Sequence, residues 1–278
     1  METYKEILVH IPAQDGEEQL KAGVGLAKRY GAHLTGVTSL IETAMVRNTL
    51  ATPFVNADED EAAKIMTREE ERAHEAERRF NAAAEAAGIS HSWFACEGNP
   101  ADILIRACRL KDIAIVEQCT PGSDLIWGPA VQLALSDQPT LIVPNDWDAP
   151  IAERHAVVTW NGSAQAAEAV QRSIPLLQSA GTATLVEGPS PETLPQNLRM
   201  PAPDVVKYLE RHDVRVEKYG REIPGPAAGE AILKIADEKS ADLVVMGAFG
   251  RSRFREWVLG GATRYVLEHM NVPVFMAH

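Results

Sequence analysis

The stretch Val244-Val245-Met246-Gly247-Ala248-Phe249-Gly250-Arg251-Ser252-Arg253, running on to Val258-Leu259-Gly260-Gly261-Ala262-Thr263, decides the reading of this chain. Leu243 to Met246 is an apolar run and reads as a buried strand that ends in a glycine. A second glycine, Gly250, follows, then a basic segment with Arg251, Arg253 and Arg255, then the pair Gly260-Gly261. Ala262, Tyr265, Val266 and His269 recur at helical spacing, so the order is strand, glycine loop, basic segment, glycine pair, helix. Glycines at a strand end and a helix start let backbone N–H groups approach a ligand with no Cβ between them. The helix N-terminus adds unpaired donors and partial positive charge, which suits a phosphate.

Working outward, the rest of the second half reads as the frame of that loop. Ala156 to Trp160 is a strand, Asn161-Gly162-Ser163 a turn, and a helix runs to about Leu177. Ala183 to Glu187 is the next strand, and 188–203 a Pro-rich loop. Asp204 to Arg211 reads as a helix, Val214 to Tyr219 as a strand and Gly229 to Glu238 as a helix.

The first half repeats this order. Strands are expected at Ile7 to Ile11, His33 to Val37, Ser90 to Ala95, Ile113 to Glu117 and Thr140 to Val143. Helices follow Gly16, cover Asp58 to Ala87, begin at Asn99-Pro100 and lie around Ala130 to Leu135. Residues 40–57 read as a loop. Strands alternating with helices imply parallel sheets. Asn145 to Pro150 reads as the linker, so the expected domains are 1–144 and 151–278, a tandem duplication of one fold.

The two copies are unequal. Aligning Asp112 with Asp242 puts Glu117 at the place of Gly247 and Thr120 at that of Gly250. Aligning Pro139 with Pro273 puts Ile126 and Trp127 where Gly260 and Gly261 stand, and Pro12 stands where Asn161 does. The first copy has lost the glycines and placed a carboxylate where phosphate would be unwelcome. Nucleotide binding is therefore expected in the second copy alone. The last strands of the two copies, each preceded by proline, are expected to pair within one chain, each covering an edge that would otherwise expose unpaired backbone groups.

The spacing Gly247-x2-Gly250-x9-Gly260 resembles the ATP-binding motif of the universal stress protein family, and the tandem layout resembles its two-domain form. The resemblance covers nearly the whole chain. It implies two open, Rossmann-like α/β domains of the adenine nucleotide alpha-hydrolase-like type, each with about five parallel strands and helices on both faces. It also implies ATP or a related adenine nucleotide, alone or with Mg2+, at the strand C-terminal ends. The residues it nominates are Thr159, Trp160, Asn161, Glu187, Met246, Gly247, Gly250, Arg251, Arg253, Gly260, Gly261, Ala262 and Thr263. Two positions depart from the family pattern. Gly261 stands where the family usually has Ser or Thr, and Asn161 stands where it often has Asp. Thr263 offers a hydroxyl two residues on.

Composition narrows the partners. The 278 residues carry a net charge of −12, which argues against general nucleic-acid binding and against anionic membrane surfaces. No apolar run approaches the roughly 20 residues of a membrane helix. The N-terminus passes straight into a strand, so no signal peptide is expected, and Cys96, Cys108 and Cys119 suit free thiols in a reducing cytoplasm. The scattered histidines have no metal-ligand spacing, and no general base, nucleophile or Mg2+ carboxylate pair flanks the glycine loop. A nucleotide-binding stress or signalling protein is the leading expectation. A slow ATPase or nucleotide hydrolase and a non-binding dimerisation scaffold are the alternatives; a homodimer is compatible with each.

Overall fold

The computed structural model describes residues 3–12, 15–51, 58–119, 128–189, 202–220, 223, 227–248 and 261–278. Two compact units emerge, Tyr4–Glu117 and Gln118–His278. Both are α/β, as the alternating pattern implies.

In the first unit, β1 (Glu6–His10), β2 (His33–Leu40), β3 (His91–Glu97) and β4 (Ile113–Glu117) lie in the order β3-β2-β1-β4, all parallel. Around them run α1 (Glu17–Tyr30), α2 (Ile41–Leu50), α3 (Glu59–Ala87) and α4 (Pro100–Ala107). The α3 helix starts on an Asp58 cap that accepts from Asp60 N and Glu61 N. Its inward face is Ala62, Glu69, Ala73, Ala76, Phe80 and Ala84, a spacing of three, four and seven. Small residues on that face let the helix lie close to the sheet. At Gly36 a Cβ would stand 2.5 Å from the Trp93 ring and 2.7 Å from that of Phe80, so only glycine fits under that aromatic pair.

The helix α2 corrects the reading of 40–57 as loop. Leu40 precedes it and gives no side-chain cap. The cap comes from α3: the buried Glu69 carboxylate accepts from Glu42 N at 2.9 Å and from Thr43 N at 2.6 Å. Two orphan N–H groups of a helix start are thus satisfied by a residue distant in sequence.

The second unit holds β5 (Thr140–Val143), β6 (Ala156–Trp160), β7 (Thr182–Glu187), β8 (Arg215–Lys218), β9 (Leu243–Gly247) and β10 (Val274–Ala277), in the order β5-β10-β9-β6-β7-β8. All neighbours are parallel except β5 and β10, which run antiparallel with Val274 opposite Ile142 and Met276 opposite Thr140. The expected pairing of the two last strands is therefore present. Its consequence is that packing divides the chain at Glu117/Gln118, whereas the joint expected from the sequence lies at 145–150.

The helices of this unit are α5 (Pro129–Leu135), α6 (Ala164–Arg172), α7 (Ile174–Ala180), α8 (Val205–Arg211), α9 (Ala228–Glu238) and α10 (Gly261–His269). The single helix expected up to about Leu177 is two. Pro175 has no N–H to donate and falls in the first turn of α7, and Ser173 turns its hydroxyl onto Val170 O at 3.1 Å.

One device appears in both units. Asp112, just before β4, accepts from Lys5 N and Glu6 N at 2.6 and 2.9 Å. Asp242, just before β9, is fully buried and accepts from Glu153 N, Arg154 N and His155 N at 2.9, 2.9 and 3.2 Å. Each carboxylate ties the backbone entering the first strand of its copy to the strand beside it.

Candidate nucleotide cavity in the second unit

The strands of the second unit set up a crevice. From β6 the chain moves outward one way to β7 and β8, while β9 lies on the other side of β6. Open α/β sheets hold ligands outside the strand C-terminal ends at such a reversal. A cavity of about 380 Å3 lies there. Its floor is the ends of three strands: Thr159 and Trp160 of β6 with Asn161 just after it, Val186 and Glu187 from β7, and Met246 and Gly247 from β9. One wall is the start of α6 with Ser163, Gln165 and Ala166, and another is the first turn of α10 with Gly261, Ala262 and Thr263. Ala228 and Ile232 of α9, together with Gly188, Pro189 and Ile223, complete the lining.

Nine of the residues nominated from the sequence thus face one space: Thr159, Trp160, Asn161, Glu187, Met246, Gly247, Gly261, Ala262 and Thr263. Gly250, Arg251, Arg253 and Gly260 lie outside the described residues. The α6 start and the α9 wall were not nominated. Ser163 had a signal in the Asn-Gly-Ser turn. Ala228 and Ile232 had none, because an apolar pair at i, i+4 reads only as core.

Local geometry explains several of these positions. Asn161 Oδ1 receives Ser163 N at 3.1 Å and Ser163 Oγ at 2.7 Å. Ser163 Oγ in turn caps α6 by accepting from Ala166 N at 3.2 Å. Thr159 Oγ1 donates to Val245 O at 3.3 Å across the β6–β9 pair. Gly247 has a reason the sequence did not disclose: a Cβ there would sit 2.7 Å from Ala166 N and 2.8 Å from the Gln165 carbonyl carbon. Its lack of a side chain lets the start of α6 pack onto the end of β9. At Gly261 a Cβ would meet none of the described residues within 4 Å. Among the described lining residues Glu187 is the one ionisable side chain, with Lys218 Nζ 3.8 Å from its carboxylate.

The equivalent place in the first unit is built differently. Glu117, at the position of Gly247, accepts from His10 Nδ1 at 2.7 Å, and His10 stands at the position of Thr159. Burial pushes the Glu117 carboxyl up, but the charge and hydrogen bond of the largely buried His10 outweigh it and hold it below its ordinary range.

Residues 153–278 match the model of the universal stress protein family. Over 68 residues the chain is 37% identical to universal stress protein Slr1230 of Synechocystis, covering 24% of this chain and 23% of that one. Over 47 residues it is 36% identical to universal stress protein MJ0577 of Methanocaldococcus jannaschii, covering 17% of this chain and 29% of that one. These alignments span less than a third of the length of either relative. The crystal structure of a universal stress protein from Archaeoglobus fulgidus shares the fold with a TM-score of 0.66 at 18% identity, over 97% of this chain and 95% of that one. A functionally unknown protein from Pseudomonas aeruginosa shares it with a TM-score of 0.57 at 16% identity, over 99% and 92%. The chain is thus an α/β protein of the universal stress protein fold. Its second half, residues 153–278, is similar to the universal stress protein family. Among the described residues no helix is long and apolar enough to cross a membrane.

Proposed function

We propose that the second unit binds an adenine nucleotide, ATP or a close relative, in the cavity at the ends of β6, β7 and β9. The observation that carries this reading is the convergence of the first turn of α10 with three strand ends on one cavity of about 380 Å3. That volume lies in the range of small-molecule sites. The first N–H groups of a helix have no partner within it and attract an anion. The phosphates would lie toward Gly261–Thr263. The base and ribose would lie toward Trp160, Val186 and Ile223, where apolar side chains line the space and Glu187 can accept from hydroxyl or amino groups. The family match over residues 153–278 supports the same reading.

The test is direct. The purified full chain is denatured and the released small molecules are identified by mass spectrometry, and the refolded or ligand-stripped chain is titrated with ATP, ADP and AMP by calorimetry. Binding at one site per chain is expected. No heat with any of the three overturns the proposal. Steady conversion of ATP to ADP or AMP would replace a binding role with a hydrolytic one.

A further inference from the structure

The hydrogen bonds at the start of α6 have a direction that is fixed without sight of a proton. Ser163 N is a backbone amide and can only donate, so the Asn161 atom it meets at 3.1 Å is Oδ1, with Nδ2 on the other side. Ala166 N likewise donates, to Ser163 Oγ. The Ser163 hydroxyl lies 2.7 Å from Asn161 Oδ1, and an amide oxygen carries no proton, so the hydroxyl donates there. Both lone pairs of Oδ1 are therefore used within the chain. Asn161 has Nδ2 left, with two N–H groups and, among the described residues, no protein partner. Asn161 lines the cavity beside the ends of β6 and β9.

We propose that Asn161 meets the bound nucleotide only as a hydrogen-bond donor, so that the site holds ligand oxygen atoms directly and without a divalent cation at this position. The inference rests on the nucleotide reading of the cavity. Divalent cations such as Mg2+ take oxygen ligands, and N–H groups turned toward a cation repel it. A phosphate or ribose oxygen is what such donors accept. Ser163 acts here as a positioning residue, because it occupies Oδ1 and leaves Nδ2 as the end of the Asn161 amide available to a ligand.

Asn161→Asp is the discriminating variant. One carboxylate oxygen can keep both bonds from Ser163, so the α6 cap survives, while the other replaces the two donors with a charged acceptor. ATP is titrated calorimetrically into the full-length parent and the variant, in EDTA and in Mg2+, with thermal unfolding of both as a control. The parent is expected to bind equally well in the two buffers. The variant is expected to bind about tenfold more weakly, or worse, in EDTA, with Mg2+ restoring much of the loss. A parent that needs Mg2+, or a variant that matches the parent in EDTA, overturns the inference while leaving nucleotide binding intact. A parent that binds ATP in neither buffer overturns the nucleotide reading, and this inference with it. If the variant does not fold, the parent's comparison between EDTA and Mg2+ decides alone.

Discussion

At the residue scale, two glycines of the same motif have opposite reasons to exist. Gly247 is packed: its missing Cβ is the room that the Gln165–Ala166 backbone occupies. At Gly261 a Cβ would meet none of the described residues. Gly247→Ala should therefore lower stability by about 1–3 kcal/mol through overpacking, read as a drop in the urea midpoint. Gly261→Ser should leave stability almost unchanged and tighten ATP binding by about tenfold, since a hydroxyl to a charged phosphate contributes roughly 1.5–3 kcal/mol. Calorimetry and chemical unfolding on both variants check the pair, and a Gly261→Ser that binds no better would show that the hydroxyl was never limiting. The sequence pointed to both glycines by spacing alone. It could not separate them, because what a Cβ would strike is set by α6, an element far away along the chain.

The His10–Glu117 pair makes a second prediction at this scale. The Glu117 carboxyl titrates lower in the folded chain than in the unfolded one. Its contribution to stability is therefore complete above about pH 4.3, the ordinary value of a free Glu, and is lost as the pH falls through the folded value. Glu117→Gln should destabilise the chain at pH 6, and the difference from the parent should shrink steadily toward pH 3. Urea unfolding at a series of pH values reads this directly. A difference that does not vary with pH would mean the pair is held by packing and not by charge.

At the element scale, the strands were the legible part. Ala156–Trp160 and Leu243–Gly247, neighbours in the second unit's sheet, each read as a short, mostly apolar run bounded by turn residues, and each is buried along most of its length. Asn99 and Pro100 announced α4, and Asn99 Oδ1 indeed accepts from Ala101 N at 2.9 Å. Helix α2 was illegible for a physical reason. Its start lacks a local cap, and Glu69, which supplies one, reads in sequence as one more charge on a long charged helix. Glu69→Ala should release the first turn of α2 while leaving α3 helical, because α3 keeps its own Asp58 cap. Losing the two charge-assisted bonds should cost about 3 kcal/mol or more. Hydrogen exchange across residues 41–50 should rise sharply, with 59–87 little changed. Equal protection of α2 in parent and variant would show that packing on α3 suffices.

At the scale of the whole molecule, the antiparallel β5–β10 pair makes the repeat and the compact units differ. A fragment of residues 151–278, the second domain expected from the sequence, lacks β5 and leaves β10 with a bare edge. A fragment of residues 118–278 keeps every strand pair of the cavity-bearing unit. The shorter fragment should self-associate or aggregate, and the longer one should be more soluble and less self-associating. Light scattering after size exclusion separates the two outcomes. A monomeric, soluble 151–278 would show that the β10 edge needs no cover.

The carboxylates Asp112 and Asp242 stand at the strand entrances, while the cavity and its His10–Glu117 counterpart stand at the strand exits. Both copies use the same tether at the entrances, although one aspartate is exposed and the other fully buried. At the exits the two copies have parted completely: a glycine against a glutamate, a threonine against a histidine. A fold anchored at one end can vary at the other without losing its shape. The strand exits of the first unit are thus free to differ from those of the second while the entrances hold each sheet in place.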